Sequence, residues 1–210
     1  MSTGLRPVDY GAIQQSSDWI ETLLAQSFEA RGEFVYDTPV LQLLTAVLRN
    51  ASGMSVSELG QRELFAPIGG ALVTWRTDAG AVELGGNDEY VRLRDLIKLG
   101  ELYRLGGVFE GRRILPEEFV EASTAMQIKP EGDRVNHNTL SLRGYGYLWW
   151  LLDINGEEVY AALGHGGQLL VVAPQRELVV LMTSRWPSTS SAEHYRHLAR
   201  ILGERVLPIF

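Results

Sequence analysis

Apolar positions change their rhythm part-way along the chain. Up to about residue 143 they recur at helical spacing; beyond it they come in short unbroken runs. Residues 18–30 place Leu23, Leu24 and Phe28 at helical spacing, with Asp18 able to cap and Glu21 three residues on, so a helix is expected there, ended by Gly32. In "YDTPVLQLLTAVLRNASG", Thr38 reads as an N-cap and Pro39 as a first helical residue. Val40, Leu41, Leu43, Leu44, Val47 and Leu48 surround most of this second helix, which predicts that it is buried, with Gly53 closing it. Ser55 and Glu58 form a capping box for a short helix reaching Phe65, stopped by Pro67 and Gly69-Gly70. "ALVTWR" reads as a short strand and "LGGNDE" as a loop. Helices follow over 91–105, closed by Gly106-Gly107, and from Pro116 to about Ala125. Residues 127–142 read as polar and irregular.

The second rhythm is that of strands. "YGYLWWLLDI", "EEVYAALGH", "QLLVVAP" and "ELVVLMTS" are consecutive apolar runs with short connections, which predicts an antiparallel meander. Asn155-Gly156 is a hairpin signal between the first two, and residues 173–177 turn between the last two. Trp149 and Trp150 should point to opposite faces of their strand, so at least one belongs to the core. A helix over 191–206, with Tyr195, Leu198, Leu202 and Val206 on one stripe, ends the chain. The layout is α+β: a mainly helical region over 1–143, then antiparallel strands over 144–210 with a C-terminal helix packed on them.

Composition narrows the function classes. The 210 residues are 45% hydrophobic and 21% charged, ordinary for a globular chain long enough to bury a core. A net charge of −7 argues against a nucleic-acid partner. There is no cysteine, so disulfides and thiolate metal sites are excluded. The start, "MSTGLRPVDYGAIQQ", does not read as a signal peptide, and no apolar run approaches the roughly 18 residues of a membrane span.

The search for chemistry first fails to find a nucleophile. No serine is flanked as Gly-x-Ser-x-Gly, and neither Lys98 nor Lys129, the two lysines, has a serine three residues before it. No His-Glu-x-x-His pattern suggests a metal, and no cofactor is implied. His194 and His197, three apart on the last helix, read as a solvated face. "ALGHGGQLLVVAP" breaks a strand at His165-Gly166-Gly167. This is either a bulge or one wall of a site. As a wall, Gly166 and Gly167 would let a substrate lie against the backbone, the Gln168 N–H could face a carbonyl oxygen, and His165 could add a donor beside it. Tyr36 is either a general base, given a lowered pKa, or a residue that staples the helix entrance with Phe34. The acidic loop at Glu131–Asp133 and the Trp149-Trp150 pair are further candidate pocket walls.

Together these stretches resemble the class C β-lactamase and penicillin-recognising serine hydrolases, with their esterase and amide-hydrolase relatives. "FVYDTPVLQLLTAVLRNASGMSVSELGQRELFAPIG" is similar to the family's Tyr-x-Asn segment and following helix. "LRDLIKLGELYRLGGVFEGRRILPEEFVEAST", "YGYLWWL" and "GHGGQLLVVAPQRELVVLMTS" are similar to later stretches and core strands. The resemblance implies a β-lactamase/transpeptidase-like fold. It makes Tyr36 the residue that takes the nucleophile's proton and returns it to the leaving group. It makes His165 and Gly167 the ends of the third motif and Gln168 the oxyanion N–H. Thr38 stands where the family usually has Asn.

The family's Ser-x-x-Lys is missing from these residues. "MSTGL" resembles a turn that follows the nucleophile helix, so the resemblance implies a start in mid-domain and no turnover by this chain alone. It also predicts an uncovered sheet edge able to self-associate. The alternatives are a non-catalytic derivative that binds a ligand or partner, and a half that complements a separate N-terminal chain. Fold and motifs do not choose among β-lactam, ester and amide substrates.

Overall fold

The computed structural model describes residues 1–28, 32–131, 140–185 and 191–210. They fall into two compact units, 1–96 and 97–210.

The first unit holds α1 (Tyr10–Gln14), α2 (Trp19–Leu24), α3 (Leu41–Ser52), α4 (Val56–Gly60), a π-helical turn (Gln61–Phe65), and the antiparallel pair β1 (Leu72–Trp75) and β2 (Glu89–Val91). Ile13, Trp19, Leu23 and Leu84 form its core, with Val8, Tyr10 and Leu43 packed around them. The capping box is present: Ser55 accepts from the Glu58 N–H while the Glu58 carboxylate accepts from the Ser55 N–H. Asp18 caps α2 by accepting from the Glu21 N–H at 2.9 Å, but the helix stops at Leu24, well short of Ala30. Residues 29–31 lie outside the described residues. Helix α1 was not legible in the apolar spacing; Ile13 is its one buried residue.

Helix α3 corrects a larger expectation. It is not buried all round. Leu44 and Val47 are 47% and 61% exposed, while Gln42 and Thr45 are buried. The reason is a polar clamp. The Gln42 side chain accepts from the Gly85 N–H at 2.9 Å and donates to Asp78 at 3.1 Å, satisfying a loop backbone that would otherwise be buried unpaired. A Cβ on Gly85 would strike the Leu41 carbonyl and the Thr45 hydroxyl, so the loop lies directly on the polar side of the helix. Thr38 is not the N-cap either. The Leu41, Gln42 and Leu43 N–H groups donate to Thr38, Pro39 and Val40 carbonyls in a tight entry turn, and Val40 holds the cap position with no side-chain cap bond.

Helix α5 (Leu93–Arg104) leads into the second unit, which continues with the two-residue strands β3 (Val108–Phe109) and β4 (Arg112–Arg113) and with α6 (Glu117–Thr124). Five antiparallel strands follow in sequence order: β5 (Leu140–Tyr145), β6 (Trp150–Ile154), β7 (Glu157–Gly164), β8 (Gln168–Ala173) and β9 (Leu178–Met182). Helix α7 (Ser191–Ile201) and a π-helical turn (Leu202–Val206) end the unit. The meander is as expected, but "YGYLWWLLDI" is not one strand. Tyr145 ends β5 and Trp150 begins β6, with a turn at 146–149 in which Leu148 has φ +66°. The Gly146 N–H donates to the Trp149 carbonyl across this turn, and the Tyr147 N–H donates to Ser123 of α6. The residues from Leu140 that read as irregular are therefore strand. Trp149 and Trp150 are both core: Trp149 packs against Tyr103 and Tyr160, and Trp150 meets Tyr145 edge-on. Of the acidic loop, Gly132 and Asp133 lie outside the described residues.

Both faces of β8 are covered. Leu163 and Leu169 share a small apolar space with Tyr195 and Ala199 of α7. Leu170, which points the other way from Leu169, packs with Val179 against Gly100 of α5. This is why "LLVVA" is an unbroken apolar run: each of its five residues is buried. Asn155 and Gly156, at φ +54° and +84°, make the two-residue turn expected between β6 and β7.

Two stability measurements test this packing by urea denaturation of the 210-residue chain. A Cβ at Gly100 would sit 2.5 Å from Val179 Cγ1. Gly100→Ala should therefore destabilise by about 1–3 kcal/mol through overpacking, despite a helix-propensity gain of just under about 1 kcal/mol. Ser55→Ala should cost about 1 kcal/mol through loss of the cap.

Candidate active site

The glycine break between β7 and β8 is a hairpin turn, not a bulge. The pairing of β7 with β8 runs without a shift to Gly164 opposite Gln168, leaving His165, Gly166 and Gly167 as the turn. Gly166 and Gly167 have φ +93° and +87°, a region that L side chains avoid. The Gly167 N–H donates to the Gly164 carbonyl at 3.2 Å. That carbonyl also accepts from the Tyr195 hydroxyl and, with the Gln168 amide nitrogen turned towards it, from the Gln168 side chain at 3.2 Å. His165 and Gln168 are exposed, while Gly167 is buried. The turn thus presents a donor-bearing rim to solvent over a fixed base.

The base is built from Ser184, which the sequence did not single out, and His194, which it read as part of a solvated face. Ser184, just beyond β9, has its Oγ 2.7 Å from Nε2 of His194 on α7. The same hydroxyl lies 3.2 Å from the Gly167 carbonyl oxygen and 3.4 Å from that of Gly166. His194 is only 6% exposed, so it is not part of a solvated face. A hydrogen-bond partner beneath the turn takes it inward, leaving His197 exposed beside Arg200. Among the described residues no three His, Cys, Asp or Glu side chains cluster so as to hold a metal ion, and no helix is long and apolar enough to cross a membrane.

Tyr36, Asp37 and Thr38 belong to the first unit and are described separately. Tyr36 is 39% exposed and its ring is tilted against Phe34 at 6.5 Å between centroids. Burial pushes its phenol above the ordinary tyrosine range, opposite to the lowered value a poised base would need. Asp37 beside it is also pushed up by burial. Thr38 packs its methyl against Gly86, where a Cβ would lie 2.6 Å from Thr38 Cγ2.

The family model described as Beta-lactamase matches residues 2–204. The chain belongs to the Beta-lactamase family. It is 24% identical over 215 residues to an uncharacterized protein of Alkalihalophilus pseudofirmus, covering 88% of this chain and 61% of that one. Among solved structures it resembles a putative beta-lactamase from Bacteroides dorei, with a TM-score of 0.77, 20% identity, and 99% of this chain covered against 69% of the other. It also resembles a putative 6-aminohexanoate-dimer hydrolase from Bacillus anthracis, with a TM-score of 0.67, 22% identity, and coverage of 89% and 49%. The β-lactamase/transpeptidase-like fold is thereby shown. The chain spans about three fifths of the curated relative and half of the Bacillus anthracis protein.

Two outcomes follow for this Beta-lactamase-family chain. A Cβ on Gly166 has room, the nearest atom being Gln168 Nε2 at 3.4 Å, whereas one on Gly167 would run into Ser184 Oγ and His194 Nε2. Gly166→Ala should therefore cost only the left-handed strain, about 1–2 kcal/mol. Gly167→Ala should add about 1–3 kcal/mol of overpacking. Denaturant midpoints of the two variants decide this. The raised Tyr36 pKa means that the folded state holds the phenolic proton more tightly than the unfolded chain does. Its contribution to stability is complete below pH 10 and is lost as pH rises through the folded value. Between pH 9.5 and 11.5 the wild-type chain should lose more stability than Tyr36→Phe.

Proposed function

We propose that these residues carry the proton-transfer and oxyanion parts of a serine hydrolase that moves an acyl group from an amide, ester or β-lactam to water. The observation that carries this reading is the His165–Gln168 turn, its carbonyls held inward and its rim exposed, in a chain whose family match extends over residues 2–204. A serine oxygen attacks the substrate carbonyl and gives its proton to Tyr36. The oxyanion is held by the Gln168 N–H, with His165 beside it. Tyr36 returns the proton to the leaving group, and water releases the acyl group by the reverse route. The name of the Bacillus anthracis relative, a putative 6-aminohexanoate-dimer hydrolase, supports linear amides as one substrate class.

The raised phenol fits the absence of Ser-x-x-Lys from the 210 residues. A phenolate needs a cation within about 4–6 Å to be favoured at neutral pH, and a family lysine beside Tyr36 would supply it. The same absence favours a second reading, a non-catalytic derivative that keeps the pocket for a ligand or partner.

Nitrocefin and p-nitrophenyl acetate separate the readings. The 210-residue chain alone should show no turnover above that of its Tyr36→Phe variant; turnover that Tyr36→Phe abolishes would overturn the proposed division of labour. With a Ser-x-x-Lys segment of a family member supplied, fused or as a separate polypeptide, hydrolysis should appear and Tyr36→Phe should lower kcat by about 10²–10⁴-fold. Failure of complementation to give any hydrolysis would favour the non-catalytic reading.

A further inference from the structure

Ser184 and His194 form a serine–imidazole pair at 2.7 Å in a chain with no Ser-x-x-Lys, which invites the thought that Ser184 is itself a nucleophile. Its surroundings exclude that role. The oxygens nearest to Ser184 Oγ are the carbonyls of Gly167 and Gly166, at 3.2 and 3.4 Å. An attacking alkoxide, and the oxyanion it creates, need N–H donors; here they would meet the negative ends of two peptide dipoles. A hydroxyl has one proton. If it donated that proton to His194, its lone pairs would face both carbonyls. If it donates to the Gly167 carbonyl instead, it is free to accept from Nε2–H of His194, and both the hydroxyl proton and the short serine–imidazole contact are used. The hydrogen-bond pattern therefore selects the Nε2–H tautomer of His194 and directs the Ser184 proton to the turn.

The consequence concerns one peptide plane. No peptide bond in the described chain is cis. In a trans peptide the carbonyl of Gly167 and the N–H of Gln168 lie in one rigid plane and point in opposite directions. Whatever holds that carbonyl inward aims that N–H outward. Gly167 needs such a holder, because at φ +87° it has no side-chain constraint of its own. Its lack of a Cβ is also what lets the serine and imidazole press directly against its backbone. We propose that Ser184 and His194 are positioning residues: His194 orients the Ser184 hydroxyl, which anchors the Gly167 carbonyl and so aims the Gln168 N–H at the substrate side of the turn. The substrate part of this statement rests on the function proposed above; the anchoring part does not.

Nuclear magnetic resonance on the 210-residue chain tests the anchor without any turnover. Long-range 1H–15N correlations of the imidazoles at pH 7.5 should show His194 as the Nε2–H tautomer. Ser184→Ala should shift the Gln168 amide 15N resonance by more than about 1 ppm, leaving the resonance and hydrogen-exchange rate of the Val171 amide in the middle of β8 unchanged. Ser184→Thr, which keeps the hydroxyl, should restore the wild-type Gln168 resonance. His194→Gln, which keeps a donor, should lie between the two. An Nδ1–H tautomer, an unmoved Gln168 amide resonance in Ser184→Ala, or faster Val171 exchange in that variant would overturn the proposal; the last outcome would mark the pair as support for the sheet as a whole. Failure of the functional reading shows itself elsewhere: complementation would give no hydrolysis, while the resonance and tautomer outcomes for Ser184, His194 and Gln168 would still hold.

Discussion

Strand β8 is buried on both faces, and the second unit is organised around that constraint. A run such as Leu169–Ala173 leaves no side for water, so one layer of helix must cover Leu170 and another must cover Leu169. Helix α5 comes close enough only because Gly100 has no side chain at the contact with Leu170 and Val179. Helix α7 supplies the other cover through Tyr195 and Ala199. Burying each Leu or Val side chain of the strand contributes about 1.5–3 kcal/mol, far more than any single hydrogen bond in the turn above it. The position of the turn is therefore set by apolar packing, and the polar contacts are left to choose its conformation.

The first unit uses the opposite economy. Helix α3 turns its polar side inward, because Gln42 completes the backbone of the 78–85 loop, and turns Leu44 and Val47 outward. Glu83, almost wholly buried, accepts from the Ser57 hydroxyl at 2.7 Å and ties that loop to α4. A helix whose buried positions are Gln42 and Thr45 cannot be read from hydrophobic periodicity, which assumes that apolar residues face in.

What was legible in the sequence was what local chemistry dictates. The capping box at Ser55, the Asn155-Gly156 turn, the left-handed residues after α5 and the antiparallel meander each follow from a few neighbouring residues. The boundary between β5 and β6 was hidden because Leu148 takes a left-handed φ that its residue type does not announce. For the candidate site, the glycine pair announced the turn, but its anchor did not announce itself. Ser184 and His194 are separated from Gly167 by 17 and 27 positions, and a histidine on an amphipathic helix gives no sign of which way it faces. The apolar stripe through Leu198 and Leu202 oriented the helix; Leu198 lies four residues beyond His194, on the same face, and that spacing was the available signal.

The dependence of the turn on α7 has a bearing on biosynthesis. Strands β7 and β8 can pair as soon as both have left the ribosome, since residues 157–173 are contiguous. The Gly164 carbonyl gains its last tether only when Tyr195 arrives, and the Ser184 hydroxyl on the Gly167 carbonyl gains its imidazole partner only when His194 does. Synthesis at about 5–20 residues per second leaves an interval of seconds in which the hairpin exists with a mobile tip. The rim is thus among the last features to mature, and a chain cut short before residue 194 would lack both the α7 cover over Leu169 and the final shape of the turn.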